Sequence, residues 1–193
     1  MLREDNWTLP NVLTISRILL TPVFVMAFES RRFDLAWGLF ALAGLTDALD
    51  GLLARLLHQR TRLGSMLDPL ADKVLLVTCF ICLASGGFLP NWLVTLAVSR
   101  DAIIVGGLIL LNLWGVEVKS GIAPSVWGKL TTLFQISLVF TVMLQESLGR
   151  SWPLVLDGLI YGTALFTALS GLLYVRKGFA LFPTPDEDEP FRR

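Results

Sequence analysis

Three features of the sequence predict an all-α integral membrane protein with six transmembrane helices and both termini in the cytoplasm. The apolar set AVILMFWYC makes up 54% of the 193 residues and charged residues only 17%, against about 25% charged in a soluble domain. Six apolar runs of membrane-crossing length recur along the chain, separated by short polar breaks. Lys and Arg gather on one side of those runs. The 16 basic and 16 acidic residues cancel, so no global field draws the chain to nucleic acid. Cys79 and Cys82, the only cysteines, sit together in an apolar run, which excludes a secreted disulfide scaffold.

A span needs about 20 mostly apolar residues to cross about 30 Å of hydrocarbon. The first runs from Asn11 to Phe28; Arg17 interrupts it and Glu4 and Asp5 precede it, which is not the pattern of a signal peptide. After ESRRFD the second runs from Leu35 to Leu57, and after HQRTRLG the third runs from Asp68 to Ser85. GGFLP separates the fourth, Asn91 to Trp114, and GVEVKSGIAPS the fifth, Val126 to Ser147. LGRSW then leads into the sixth, Pro153 to Val175. Such short breaks predict that neighbouring helices pack antiparallel in one bundle, with residues 1–178 as a single domain. Residues 179–193, which end in PTPDEDEPFRR, read as a polar, disordered tail.

Orientation follows from the basic residues near the span ends. Arg3, Arg55, Arg60, Arg62, Lys119, Arg176, Lys177, Arg192 and Arg193 fall on the side that holds both termini; only Arg31, Arg32 and Arg150 fall on the other. The expected location is the bacterial cytoplasmic (inner) membrane, with the termini and the site described next facing the cytoplasm.

Charged side chains at membrane depth cost at least about 2.5 kcal/mol each on insertion scales and point to function. Asp47 and Asp50 lie at the cytoplasmic end of the second span, Asp68 and Asp72 at the cytoplasmic start of the third. Spacings of three and four residues project each pair from one helix face, and an antiparallel hairpin of the two helices brings the pairs together. Four converging carboxylates repel one another unless positive charge sits among them. Lys73 and Arg55 neutralise only part of it. An oxygen-only donor set without His or Cys suits Mg²⁺ or Mn²⁺, and four carboxylates suffice to share two ions. Such a pair of ions is a recurring clamp for displacement at phosphorus. The alternative is a set of interfacial salt bridges with Arg55, Arg60, Arg62 and Lys73. Gly51, Ala54 and Gly64 keep the neighbouring wall free of bulk, as they also would for close helix packing. Arg55, near Asp50, has the geometry to grip a phosphate bidentately.

Written out, the pattern is Asp47-x2-Asp50-Gly51-x2-Ala54-Arg55-x8-Gly64-x3-Asp68-x3-Asp72. It resembles the signature of the CDP-alcohol phosphotransferases at all eight fixed positions. PNVLTISR at the start of the first span is similar to the opening of bacterial phosphatidylglycerophosphate synthases and of eukaryotic-type cardiolipin synthases, and the likeness covers roughly residues 9 to 178. The resemblance implies transfer of a substituted phosphate from a CDP-linked donor to an alcohol, with release of CMP. It implies that Asp47, Asp50 and Asp68 bind metal, that Asp72 lies near the metals as general base, and that Gly51, Ala54, Arg55 and Gly64 line the CDP site. Homodimers are usual in that family, so a homodimer is expected here. The chemistry agrees with those roles: metal offsets the pyrophosphate charge while a carboxylate on the far side takes the proton of the attacking hydroxyl. In-line transfer is expected; sequence alone leaves a covalent intermediate open.

A cytosol-facing site between spans suits CDP-diacylglycerol as donor, its acyl chains remaining among membrane lipids. The acceptor is read from other buried charges. Arg100 and Asp101 lie inside the fourth span and Lys129 in the fifth, and by resemblance Arg100 and Lys129 hold the acceptor phosphate. The alternative for Arg100 is an internal pair with Asp101 or Glu146. Glycerophosphate-using relatives commonly read Arg-Glu with a further Arg eight residues on, whereas this chain reads SRDAIIVGGL, with Asp101 and Leu108 at those places. One cation fewer suits a phosphodiester such as phosphatidylglycerol. EVKSGIAPSVWGKLTTLFQ also resembles the corresponding pattern of eukaryotic-type cardiolipin synthases. Cardiolipin synthesis is therefore the favoured expectation, ahead of phosphatidylglycerophosphate synthesis from glycerol 3-phosphate.

Asn11, Thr14 and Arg17 share one face at the cytoplasmic end of the first span, where they would contact the nucleotide or the hairpin, or else cap and snorkel. Cys79 and Cys82 have no basic neighbour to activate a thiol and read as packing. His58, in a loop beside Arg60, reads as solvated. A transporter would place its charges near mid-bilayer on several, discontinuous spans. Here the four acids cluster at one edge beside a basic loop, which suits an enzyme acting on a lipid.

Overall fold

The computed structural model describes residues 9–56, 62–113 and 126–180, with side chains over 15–47, 73–107, 110 and 126–178. The described residues form six α-helices and no strand: α1 (Leu9–Glu29), α2 (Phe33–Leu56), α3 (Arg62–Ser85), α4 (Asn91–Leu113), α5 (Val126–Leu148) and α6 (Pro153–Ala180). All six apolar runs are helices. The helix α3 starts six residues before its apolar run, and α6 extends to Ala180, past the end expected for both the span and the domain. Hydropathy marks the stretch that suits lipid, whereas the backbone hydrogen-bond ladder continues as long as caps or water satisfy its ends.

Tight turns join α1 to α2, α3 to α4 and α5 to α6 at one end of the bundle. Each follows a residue in the left-handed region: Arg31 (φ 56°), Gly87 (φ 79°) and Gly149 (φ 60°). Arg32 N–H donates to Ala27 O (3.0 Å), Phe88 N–H to Leu83 O (2.8 Å) and Arg150 N–H to Gln145 O (3.1 Å). These are the 6→1 bonds of Schellman caps, and they satisfy carbonyls that the ending helix leaves orphaned. Glycine adopts this backbone freely at two of the turns; Arg31 adopts it at a cost of roughly 1 kcal/mol.

Behind the turns lies the apolar core. Phe28, Phe33 and Phe88 meet edge to face, with ring centroids 5.5 to 6.0 Å apart, an arrangement the ring quadrupoles favour. A Cβ on Gly86 would stand 2.8 Å from the Phe88 ring and 2.9 Å from Phe28, so only glycine fits that corner. Phe24, Cys79, Phe80, Leu83, Leu93, Leu138, Val139, Val142 and Met143 continue the core inward. Both cysteines are buried and free, in keeping with packing. Deeper along the helices the buried residues turn polar: Arg17, Arg100, Thr131, Gln135, Thr163, Thr167 and Ser170.

Helix neighbours differ from the expected sequence of hairpins. The helix α1 packs on both α2 and α3, α5 packs on α2 and α6, and α4 packs chiefly on α6. Among the described residues α2 and α3 make no close backbone approach. The direct α2–α3 packing expected of a hairpin is not seen over that range: α1 and α5 each touch both helices, and α2 and α3 face one another across a cavity.

Among the described residues two helices, Val126–Leu148 and Pro153–Gly178, are long and apolar enough to cross a membrane, and the described apolar part of α3 is the shorter Lys73–Ser85. Large apolar side chains face outward on the other helices as well, among them Leu19 and Met26 on α1, Leu45 on α2, Ile81 on α3 and Ile103 on α4.

Candidate active site

The polar side chains converge because each stands at a similar depth on its helix. Arg17 on α1, Asp47 on α2 and Lys73 on α3 lie about 18 to 21 Å from the turn end at about 1.5 Å of rise per residue. They line one cavity of about 310 Å³, closed on its far side by Thr132 and Ile136 of α5. Ala43 and Gly44 form its wall on α2, and their small size leaves the space open.

Arg17 is 2% exposed, and its Nη2 lies 3.0 Å from Asp47 Oδ1. The Asp47 side chain is 48% exposed, so a carboxylate fixed on one side by a buried guanidinium reaches the cavity on the other. Of the two readings of Arg17, this is the contact with the aspartate helices. Thr21 Oγ1 donates to the Arg17 carbonyl at 3.1 Å.

Asp50, Gly51, Ala54 and Arg55 lie on the last turns of α2, Gly64 on the first turn of α3, and Asp68 and Asp72 further along α3, up to the residue before Lys73. Their side chains, and those of Asn11 and Thr14 on α1, lie outside the described part of the structure, as do residues His58 and Lys119. Helix register thus places both halves of the aspartate pattern at the same end of the bundle, on helices that flank one cavity. Asp47 is the one aspartate of the pattern whose side chain is described, and among the described residues no three acidic, His or Cys side chains gather into a metal-holding group.

A second, open groove of about 870 Å³ adjoins the first. Lys73, Thr132 and Ile136 line both spaces and form the partition between them. Arg100, Asp101, Lys129 and Tyr174 line the groove. Arg100 is buried; its Nη1 donates to Asp101 Oδ1 at 2.7 Å and its Nη2 to Ser170 Oγ at 2.5 Å. The guanidinium carbon sits 5.7 Å from the centre of the Tyr174 ring, within cation–π range. The internal pair with Asp101 is therefore present, and the Glu146 alternative is not: Glu146 is exposed on α5. Lys129 is exposed at the groove.

Lys73 Nζ donates to both carboxylate oxygens of Asp101, at 2.7 and 2.6 Å, a partner across on α4 that the sequence reading did not name. Sequence reasoning missed Asp101 as the shared acceptor of Lys73 and Arg100, and missed Ser170 and Tyr174 altogether. The available signal was that a lone lysine and a lone aspartate at membrane depth each require an opposite charge.

Residues 7–170 match the family model described as CDP-alcohol phosphatidyltransferase. The chain is 33% identical over 191 residues to the human protein named cardiolipin synthase (CMP-forming), covering 92% of this chain and 64% of that protein. It is 34% identical over 178 residues to a probable phosphatidylglycerophosphate synthase of Mycobacterium tuberculosis (strain ATCC 25618 / H37Rv), covering 88% of this chain and 80% of the relative. A putative cardiolipin synthase of Mycobacterium bovis (strain ATCC BAA-935 / AF2122/97) is 36% identical over 151 residues, 77% of this chain and 70% of that protein. The chain thus spans just under two thirds of the length of the human relative.

Proposed function

The chain belongs to the CDP-alcohol phosphatidyltransferase family, and on that premise we propose that it transfers the phosphatidyl group of CDP-diacylglycerol to a hydroxyl of phosphatidylglycerol, releasing CMP and forming cardiolipin. The observation that carries this reading is the pair of adjoining spaces. One is lined by the first aspartate of the pattern and the other by Arg100 and Lys129, with only the Lys73, Thr132 and Ile136 wall between them. Substrates seated in the two spaces would bring their reacting ends together at that shared border.

Asp47, Asp50, Asp68 and Asp72 would hold two ions, Mg²⁺ or Mn²⁺, which when bound offset the pyrophosphate charge and stabilise the departing CMP. Arg55 binds donor phosphate, and Gly51, Ala54 and Gly64 leave room for the CDP moiety. Asp72 takes the proton of the acceptor hydroxyl as its oxygen forms the new bond to phosphorus and the phosphorus–oxygen bond to CMP breaks. Lys129 meets the acceptor phosphate, and Arg100, held in place by Asp101 and Ser170, lends its charge to the same groove. Apolar side chains facing outward around the bundle support embedding of all six helices, because soluble monomers rarely expose apolar patches beyond a few hundred Å². The cytoplasmic placement of both termini rests on the basic-residue count, and a homodimer on the family resemblance alone.

A second reading, phosphatidylglycerophosphate synthesis with glycerol 3-phosphate as acceptor, is supported by the mycobacterial relative of that name. CMP release by the purified chain in nanodiscs tests the common reading. CDP-diacylglycerol with Mg²⁺ or Mn²⁺ should give CMP only when an alcohol acceptor is added. Equal release without acceptor would indicate hydrolysis and overturn the transferase assignment.

A further inference from the structure

We propose that Asp101 sets acceptor choice by charge: it holds the cations of the groove in internal pairs and thereby selects a singly charged lipid phosphodiester over a doubly charged phosphomonoester. The inference deepens the transferase reading and rests on it.

Three cations line the groove among the described residues: Lys73, Arg100 and Lys129. Asp101 accepts hydrogen bonds from two of them, Lys73 Nζ on both oxygens and Arg100 Nη1 on one. The second terminal nitrogen of Arg100 is committed to Ser170, and its planar face to Tyr174. The Asp101 side chain is 16% exposed and that of Arg100 8%, so this pair sits where solvent screens it weakly, while Lys73, at 39%, reaches it from nearer solvent. Lys129, by contrast, is exposed and shows no ion pair among the described residues.

Charge matching follows. A phosphomonoester carries about 1.5 to 2 negative charges at neutral pH and needs several charge-assisted donors to replace its water. To obtain them from this groove it would have to displace Asp101 and leave a largely buried carboxylate part-paired. A phosphodiester carries one charge, which Lys129 meets without disturbing the pairs. The remaining wall agrees: Val77, Val98, Ile104, Val105 and Leu133 line the same groove and offer acyl chains a surface that glycerol 3-phosphate cannot use.

The test compares kcat/KM for phosphatidylglycerol and glycerol 3-phosphate by CMP release in nanodiscs, for the unaltered chain and three variants. Asp101→Asn frees Lys73 and Arg100 and should raise the glycerol 3-phosphate to phosphatidylglycerol ratio by about tenfold, the worth of one added charge-assisted hydrogen bond. Asp101→Glu keeps the charge and should keep the original preference. Ile104→Arg adds a cation to the groove one turn from Asp101; whether it stays free or pairs with Asp101 in place of Lys73, one more cation is released, and the ratio should shift in the same direction even if Asp101→Asn does not fold. An unaltered chain that uses phosphatidylglycerol, with no shift in either Asp101→Asn or Ile104→Arg, overturns the charge filter and leaves the transferase reading standing. A preference for glycerol 3-phosphate with Asp101 in place overturns it as well. No CMP release with either acceptor overturns the transferase reading, and the filter with it.

Discussion

Lys73 Nζ lies 2.6 Å from Asp101 Oδ2 and 2.7 Å from Oδ1, a bridge between residues 28 apart in the chain that ties α3 to α4. Lys73 directly follows the last aspartate of the pattern, and Asp101 directly follows the buried Arg100. The bridge therefore links the aspartate-bearing helix to the basic groove at the partition the two spaces share.

Replacing Lys73 with Met should weaken that link without emptying either space. The variant is expected to raise KM for the acceptor more than it lowers donor binding, and to lose about 1–3 kcal/mol of stability through the part-paired Asp101. Donor titration and acceptor-dependent CMP release on the same preparation separate the two effects; equal losses would place Lys73 in general packing instead.

Arg17 is the buried counter-charge of Asp47. Arg17→Met should lower the thermal midpoint of the metal-free protein, again by a cost of about 1–3 kcal/mol. Added Mg²⁺ should restore part of the loss, since a cation bound only by the folded state stabilises it by mass action. Differential scanning with and without Mg²⁺ reads this directly, and an unchanged deficit at saturating Mg²⁺ would argue against Asp47 as a metal ligand.

Asp47 and Asp72 are assigned different tasks. Asp72→Asn should abolish turnover yet leave metal-dependent binding of CDP-diacylglycerol largely intact, whereas Asp47→Asn should lose both. Equal loss of binding in the two variants would refute Asp72 as the base.

The packing of α5 on α6 depends on one glycine. A Cβ at Gly162 would stand 2.5 Å from Phe134 Cε1, whereas one at Gly158 meets nothing within 4 Å. Gly162→Ala should therefore destabilise by about 1–3 kcal/mol. Gly158→Ala should be neutral or stabilising by up to about 1 kcal/mol, from helix propensity. Thermal unfolding of the pair in one detergent checks the difference.

The six helices were legible because apolar runs and turn residues are local signals. Gly87 and Gly149 stand where left-handed caps are required; Arg31 fills the same role with no such signal. Helix neighbours were not legible. A five-residue break such as 57–61 says that α2 and α3 are close in sequence, not that they face one another across a cavity with α1 and α5 each touching both. The Lys73–Asp101 bridge was not legible for a related reason: consecutive residues on a helix point about 100° apart, so adjacency to Asp72 in sequence does not set where Lys73 reaches. Arg100 and Asp101 were legible as a pair, since sequence neighbours at membrane depth have few other options. Ser170 and Tyr174, lone polar residues on an apolar helix, acquire meaning only once α6 is packed against α4.

The most direct measurement is the identity of the lipid product. The purified chain, with Mg²⁺ or Mn²⁺, would be given CDP-diacylglycerol and phosphatidylglycerol of different acyl composition, with glycerol 3-phosphate also present, and the lipids read by mass spectrometry. The account predicts cardiolipin carrying one phosphatidyl group from each lipid, with one CMP released per molecule formed. Phosphatidylglycerophosphate as the sole product, or cardiolipin built from two phosphatidylglycerol molecules without CMP, would contradict it.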